Sequence, residues 1–332
     1  MLRDLLAHEI ERWGALDPDI VAPLESLSRL VLAGGKRLRP AFCYWGFIGA
    51  GGDGDDPVIV EAGAAFELLQ AFALVHDDVM DGSATRRGER AAHLVFADQH
   101  DIEAWRGDPR RFGEGVAILI GDLSHVYADR FMAHADREVM AIWNELRIEL
   151  NVGQYLDVLG TARGDTDLVR ARRIARYKSG KYTIERPLHV GAALAGRTDL
   201  CSQLSQYGDP LGEAFQLRDD LLGAFGDTDR TGKPVGDDLR EGKPTPLLAI
   251  ASQRADHEQA ALLALVGSPD LDPGDIAAIQ QVLIDTGAVQ EIESTIDQLS
   301  VEAIAAIEAT PIAREASAAL VELAHYVAWR DK

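Results

Sequence analysis

Apolar residues recur in steps of three and four almost from end to end of the chain, in segments near 20–32, 37–49, 57–80, 115–134, 137–160, 167–178, 181–195, 209–226, 245–253, 258–266, 273–285, 288–309 and 312–329. A strand alternates its faces with a period of two, so segments of this length and spacing can bury one side only as helices. Apolar residues make up 47% of the chain and aromatics only 6%, a balance that suits closely packed helices. The fold class expected is all-α. Gly, Pro and Asp interrupt the pattern at 49–57, 107–115 and 226–245, and the length and charge of the last interruption suit a functional loop. No composition shift, repeat or low-complexity tract marks a boundary, so a single helical domain over residues 1–332 is expected.

Charge narrows the partners. With 54 acidic and 33 basic side chains the formal charge is -21, which repels nucleic-acid phosphates and anionic lipid heads. No nucleic-acid partner and no stable membrane insertion are expected. Cys43 and Cys201 are the only cysteines, too far apart in sequence to suggest a zinc site or a disulfide framework. Met1 to Trp13 reads as an amphipathic helix rather than a signal peptide, and no segment is expected to hold its apolarity over the ~18 residues of a membrane helix. A cytoplasmic location is expected. Gly49, Gly51 and Gly54 satisfy G-x-G-x-x-G, but Asp53, Asp55 and Asp56 would repel a pyrophosphate and no β-α-β rhythm surrounds them; the segment reads as a turn.

The chemistry is concentrated in acidic helix ends. Leu74 to Gly88 reads L-V-H-D-D-V-M-D-G-S-A-T-R-R-G, at the end of an apolar helix. Asp77 and Asp81 stand at i and i+4 on one face, with Asp78 beside them, at a helix C-terminus where the dipole already disfavours negative charge. A second apolar helix ends in F-Q-L-R-D-D-L-L-G, with Asp219 and Asp220 paired. Two such ends could hold hard cations through oxygen, and Mg²⁺ commonly fills the rest of its octahedron with water and substrate phosphates. The implied substrate is a diphosphate.

Basic residues gather beside glycines and these carboxylates: Lys36 and Arg39 in G-G-K-R-L-R-P, Arg86 and Arg87, Lys178 in K-S-G-K, and Lys233 and Lys243 after the second aspartate pair. Their recurrence in a strongly acidic chain argues for two anion sites.

In these motifs the chain resembles the trans-isoprenyl diphosphate synthases, or polyprenyl synthetases, from Gly34 to Thr245 and in the family's order. The matches also include Gly121-Asp122 and the G-Q-x-x-D of Gly153 to Asp157. The resemblance implies a helical bundle around a deep central cavity (the isoprenoid synthase fold), a homodimer, and condensation of isopentenyl diphosphate with dimethylallyl, geranyl or farnesyl diphosphate. By position it implies that Asp77, Asp81 and Asp219 ligate Mg²⁺, three ions with diphosphate bound, supported by Asp78, Asp157, Asp220 and Asp238. Lys36, Arg39, Gln70 and Arg87 match positions that hold isopentenyl diphosphate. Arg86, Lys178, Lys233 and Lys243 match those that contact the allylic diphosphate, and Gln154 and Ser179 those whose oxygen dipoles stabilise an allylic cation. His93 falls where the family often has histidine, although a structural role serves it equally well.

The chain departs from the family pattern at Gly223, where a third aspartate is frequent, at Gln70, where His is frequent, and at Ser179, where Thr is. Phe72, five residues before Asp77, offers a bulky floor about 7 Å along the helix, while Ala73 offers almost none. In the family this arrangement accompanies the twenty-carbon geranylgeranyl product, with fifteen-carbon farnesyl diphosphate as the alternative. A class I terpene cyclase needs no isopentenyl site, which G-G-K-R-L-R-P and Arg86-Arg87 here supply. A non-catalytic partner subunit of a prenyl synthase could dispense with metal ligands, yet both aspartate pairs are present.

Overall fold

The computed structural model describes residues 1–226, 236–268 and 270–329. Helices dominate, as the periodicity requires: α1 (Leu2–Gly14), α2 (Val21–Leu32), α3 (Leu38–Gly49), α4 (Pro57–Asp81), α5 (Ala92–Ile102), α6 (Pro109–Met132), α7 (Arg137–Arg163), α8 (Leu168–Ile174), α9 (Arg186–Leu194) and α10 (Cys201–Phe225), followed by shorter and longer helices to Ala328. They form two compact groups, residues 1–41 with 56–135 and residues 42–55 with 136–332.

In the first group α4 packs along α6. Alanines make close approach possible: Ala62, Ala65, Ala117 and Ala128 are all buried, between Phe66, Leu68, Leu69 and Ile120. Ser124 Oγ donates to the Leu68 carbonyl at 2.7 Å. Asp56 and Asp108 start α4 and α6 by accepting from backbone N–H groups of the first turn, each followed by Pro at the first helical position. The N-terminal helix is tied down through Glu9, which is 1% exposed and accepts from Trp13, Tyr127 and Arg130. Those three donors hold its carboxyl below the ordinary glutamate range against the opposing effect of burial.

One small β element interrupts the helices. Thr85–Arg86 and Glu89–Arg90 pair antiparallel around Arg87 (φ 54°) and Gly88 (φ 79°). Two successive positive φ values are what a two-residue hairpin turn demands. The membrane expectation needs correction at α4: among the described residues it is long and apolar enough, by length and composition, to cross a bilayer, its Glu61 and Glu67 notwithstanding, and half of the apolar window is buried as in a core helix.

In the second group α7 and α10 both pack against an unusual stretch, Ala175–Glu185, which joins α8 to α9 without a break and is wound as a π-helix. Helix α10 also packs on Ala288–Ala309. Leu217, Leu221, Leu239, Leu247, Ile279 and Ile296 lie in their shared core. Helix α10 starts at Cys201, earlier than the apolar pattern near 209 indicates, and Pro210 lies inside it. Buried Leu204 and Tyr207 anchor the added turns, with the Tyr207 hydroxyl donating to the Leu320 carbonyl at 2.8 Å. Gly49, Gly51 and Gly54 fall at the end of α3 and in the turn after it, as the rejection of a dinucleotide site requires. Cys43 is buried and Cys201 half-buried, both as free thiols.

Candidate active site

The first acidic motif occupies the last turn of α4, which Gly82 closes in the left-handed conformation (φ 68°). Asp78 is buried, and Asp77 and Asp81 half-buried. The hairpin returns Arg86 to this end: its Nε donates to Asp78 Oδ1 at 2.8 Å, and its Nη2 contacts Asp78 and lies 3.5 Å from Asp77. The cation that answers these carboxylates is therefore built into the same segment.

Beside it stands a run of guanidinium groups. Arg87 Nη1 donates to the Leu30 carbonyl at 3.0 Å. Its head lies against Gly35, where a Cβ would come within 3.3 Å of it, so the second glycine of G-G-K-R leaves that space open. Arg37, also at positive φ (51°), donates to the Val31 and Ala33 carbonyls and pairs with Glu67. It closes the C-terminus of α2 and ties it to α4, a structural duty that sequence reading did not separate from its neighbours Lys36 and Arg39. Burial lowers the pKa of Arg37 and Arg87, and each is lowered further by the next cation, Arg87 acting on Arg37 and Arg86 on Arg87. Crowded, partly desolvated cations of this kind favour an anion. Lys36 is exposed and Arg39 half-buried. The side-chain oxygen of Gln70 is buried with no hydrogen-bond partner, a group whose desolvation a ligand donor would offset.

Phe72 does not act alone. Its ring stacks on His125 (4.8 Å, 22°) and meets His76 edge-on (4.7 Å). His76 Nε2 is 3.0 Å from the Ile118 carbonyl, and Gly121 is required there, because a Cβ would overlap the imidazole. The two histidines escaped sequence reading; the glycine of Gly121-Asp122 was the visible trace of one. Ala73 is half-buried beside Phe72. His93 is 6% exposed, its Nδ1 is without a partner, and burial depresses its pKa, the pattern of a neutral structural imidazole.

In the second group Lys178 Nζ lies 2.5 Å from Asp157 Oδ2, joining the π-helix to α7. Gly153 permits this approach, since a Cβ there would overlap the Lys178 backbone, and Gly180 meets Gly212 of α10 backbone to backbone. Gln154 and Ser179 are half-buried next to these residues in sequence. Behind the π-helix Arg186 grips Glu149 with two bonds of 2.7 Å, and Lys181 pairs with Glu185, which also accepts from Ser205. His189 in that cluster has its pKa pushed down to about 4, chiefly by burial.

The second acidic motif ends α10. Asp219 is half-buried and Asp220 is 4% exposed. Asp220 Oδ1 accepts from Gln216 at 2.7 Å, while Oδ2 is buried with no partner. Burial raises its pKa well above the ordinary carboxylate range, helped by the negative charges of Asp238, Asp219 and Asp157. Lys243 Nζ stands 2.5 Å from Glu241 and 3.6 Å from Asp238. Lys233 and Asp227 lie outside the described residues. Among the described residues no three carboxylates are gathered closely enough to grip an ion unaided. The orphaned Asp220 oxygen nonetheless suits a hard cation, and oxygen is the only donor type the motif presents.

These helices define the class: an all-α protein with two acidic helix ends and anion-seeking guanidinium groups. Residues 22–283 match the family described as Polyprenyl synthetase, and the chain belongs to that family as a prenyltransferase of the trans-prenyl diphosphate synthase kind. It is 31% identical over 300 residues to a geranylfarnesyl diphosphate synthase from Aeropyrum pernix, with 87% of each chain covered. It is 35% identical over 242 residues to a geranylgeranyl diphosphate synthase from Mycobacterium tuberculosis, covering 71% of this chain and 63% of that one. Among solved structures, a geranylgeranyl pyrophosphate synthase from Corynebacterium glutamicum, complexed with isoprenyl diphosphate and magnesium, superposes with a TM-score of 0.91 at 39% identity, covering 99% of this chain and 97% of that one.

Proposed function

We propose that this chain condenses isopentenyl diphosphate with dimethylallyl, geranyl and farnesyl diphosphates and releases all-trans geranylgeranyl diphosphate, with farnesyl diphosphate as the alternative product. The observation that carries the product length is the Phe72–His125 stack beside the small Ala73. Product length depends on where a cavity is blocked below the metal-binding end of α4. A ring held by a second ring cannot rotate aside as a lone phenylalanine can, and Ala73 leaves the nearer level open. The relatives differ in the product that each is named for, so the floor and not the family must decide it.

Asp77, Asp81 and Asp219 would hold Mg²⁺, with Asp78, Asp157 and Asp220 in support. Bound there, Mg²⁺ would supply charge neutralisation of the allylic diphosphate as it leaves. Arg86, Lys178, Lys243 and Lys233 contact that same diphosphate, and Lys36, Arg39, Gln70 and Arg87 hold isopentenyl diphosphate. Arg86 and Lys178 are paired with Asp78 and Asp157, so substrate exchanges one anionic partner for another instead of meeting bare cations. Gln154 and Ser179 would turn oxygen dipoles toward the allylic cation left when the C–O bond to diphosphate breaks; the isopentenyl double bond attacks that cation, and the proton then lost passes to the departed pyrophosphate. The family match runs through both compact groups, which supports one functional domain. A homodimer fits α7, whose Ile148, Val152 and Tyr155 are exposed at spacings of four and three, and α6, which leaves Leu119 and Val126 exposed. The cytosol is the proposed location.

Phe72→Ala should shift products to twenty-five carbons or more, and Ala73→Phe should shorten them toward fifteen. Chromatography showing the wild-type distribution unchanged in both variants would remove these residues as length determinants.

A further inference from the structure

We infer that the buried ion network behind the π-helix is the device that holds Lys178 and Ser179 in place, with Lys181 as its central positioning residue. The inference rests on the synthase reading above, which uses one side of that segment and leaves the other unexplained. Lys181 is 8% exposed and Glu185 3%. Lys181 Nζ lies 2.5 Å from Glu185, 3.7 Å from Glu149 of α7 and 4.0 Å from Asp209 of α10. Arg186 holds Glu149 in turn, and Arg176 donates to Asp209 at 2.7 Å. Lys181, Arg176 and Arg186 thus answer Glu149, Glu185 and Asp209, cation for anion. A neutral chain of bonds closes the cluster: Arg186 Nη1 donates to His189 Nδ1 at 3.3 Å, and the Ser205 hydroxyl, 3.1 Å from His189 Nε2, donates to Glu185 at 2.6 Å. Ser205 has one proton to give, so His189 Nε2 carries the imidazole proton and donates to Ser205.

Burying so many charges is costly, and apolar side chains of the same volume would fill such a space as well or better. What the network adds is register. The partners of Lys181 and Glu185 stand on α7 and α10, and Arg186 and His189 join α9 to them, so three helices grip one segment. That segment needs a grip, because π winding is rare beyond a single turn and here runs for 11 residues. Glycines bring the backbones together: Gly153 lies against Lys178, Gly212 against Gly180 and Gly208 against Glu185, each where a Cβ would overlap its neighbour. They permit the approach without selecting a winding. The ion pairs do select one, since rewinding the segment by a residue would turn Lys181 away from Glu149 and Asp209 together. Lys178 and Ser179 lie three and two residues before Lys181. The same rewinding would swing Lys178 off Asp157, now 2.5 Å away, and carry Ser179 with it.

The test combines Lys181→Met with Glu185→Gln, which removes one cation and one anion, keeps both shapes and leaves Ser205 an acceptor. The melting temperature should stay near that of the wild type. Hydrogen exchange of the metal-free full chain should show the amides of Ala175–Glu185 losing protection while those of α4 and α6 keep theirs. The kcat/KM for the allylic diphosphate should fall by roughly 10–100-fold, the loss expected of a misplaced contact group, with the Michaelis constant for isopentenyl diphosphate unchanged. Ser205→Ala, which breaks only the link between Glu185 and His189, should move exchange and allylic kinetics the same way by less. Wild-type protection over 175–185 in both variants, unchanged allylic kinetics, or an equal loss toward both substrates would overturn the inference. The exchange measurement needs no substrate. It therefore still decides the network if the wild type makes no product from isopentenyl and farnesyl diphosphates, the outcome that would sink the synthase reading alone.

Discussion

The ends of α4 and α10 carry the same kind of charge and manage it by opposite means. At α4 the hairpin that follows brings Arg86 back onto Asp78 and Asp77, so the motif carries its own counter-charge. At α10 the nearest partner of buried Asp220 is the neutral amide of Gln216, and its second oxygen has none. On the proposed function, a cation at the α4 end would displace or join an arginine. The other carries an electrostatic cost that a cation bound there would relieve. Aspartate count alone does not separate a poised site from a neutralised one; the fate of each oxygen does.

The largest expected effect treats the two ends alike. Asp77→Ala and Asp219→Ala should each lower turnover by orders of magnitude while helical content by circular dichroism stays that of the wild type. Near-normal turnover in either variant would remove that residue from the metal site.

The next prediction separates the ends by sign. Without metal, Asp78→Asn should destabilise the protein by roughly 1–3 kcal/mol, since Arg86 loses its charged partner, whereas Asp220→Asn should stabilise it by a similar amount. The Asp220 difference depends on pH. Its folded-state pKa is raised, so its contribution is present at low pH and is lost as pH rises through the folded value. Thermal melts in chelator should therefore show the advantage of Asp220→Asn growing with pH, and added Mg²⁺ should erase it. A stabilising Asp78→Asn, or an Asp220→Asn advantage that grows toward acid, would reverse the comparison.

A smaller effect sharpens it on the substrate side. Arg39→Ala should chiefly raise the Michaelis constant for isopentenyl diphosphate, and Lys178→Ala should chiefly impair use of the allylic substrate. Identical defects toward both substrates in both variants would argue for a single anion site. Smaller still is the acid response of the cluster behind the π-helix. The pKa of His189 is depressed to about 4 and that of Glu185 is lowered. Their stabilisation is thus present above the ordinary values and lost as pH falls, first through the histidine range below about 6.5. His189→Gln should flatten the loss of melting temperature between pH 6.5 and about 4.

Periodicity made the helices legible, and spacing made the aspartates and basic clusters legible, because both report on single elements. What escaped depends on partners distant in the chain. Gly121, Gly153 and Gly223 are visible as glycines, but that His76, Lys178 and Asp238 need their space is not. The stacking of Phe72 on His125 joins α4 to α6, and no local pattern announces it. The π-helical winding of Ala175–Glu185 follows from packing on α7 and α10, since its residues carry no sequence signal for an added residue per turn. The hairpin is hidden for a different reason: its strands are two residues long, and Arg87 stands where a glycine or asparagine would have advertised the turn.

Whether the two acidic helix ends serve prenyl transfer is decided by incubating the purified chain with Mg²⁺, isopentenyl diphosphate and farnesyl diphosphate and weighing the product. Geranylgeranyl diphosphate should form with consumption of isopentenyl diphosphate, and chelation or Asp219→Ala should abolish it. Farnesyl diphosphate turned over to a hydrocarbon or an alcohol with isopentenyl diphosphate untouched, or no Mg²⁺-dependent product with any allylic primer, would contradict it.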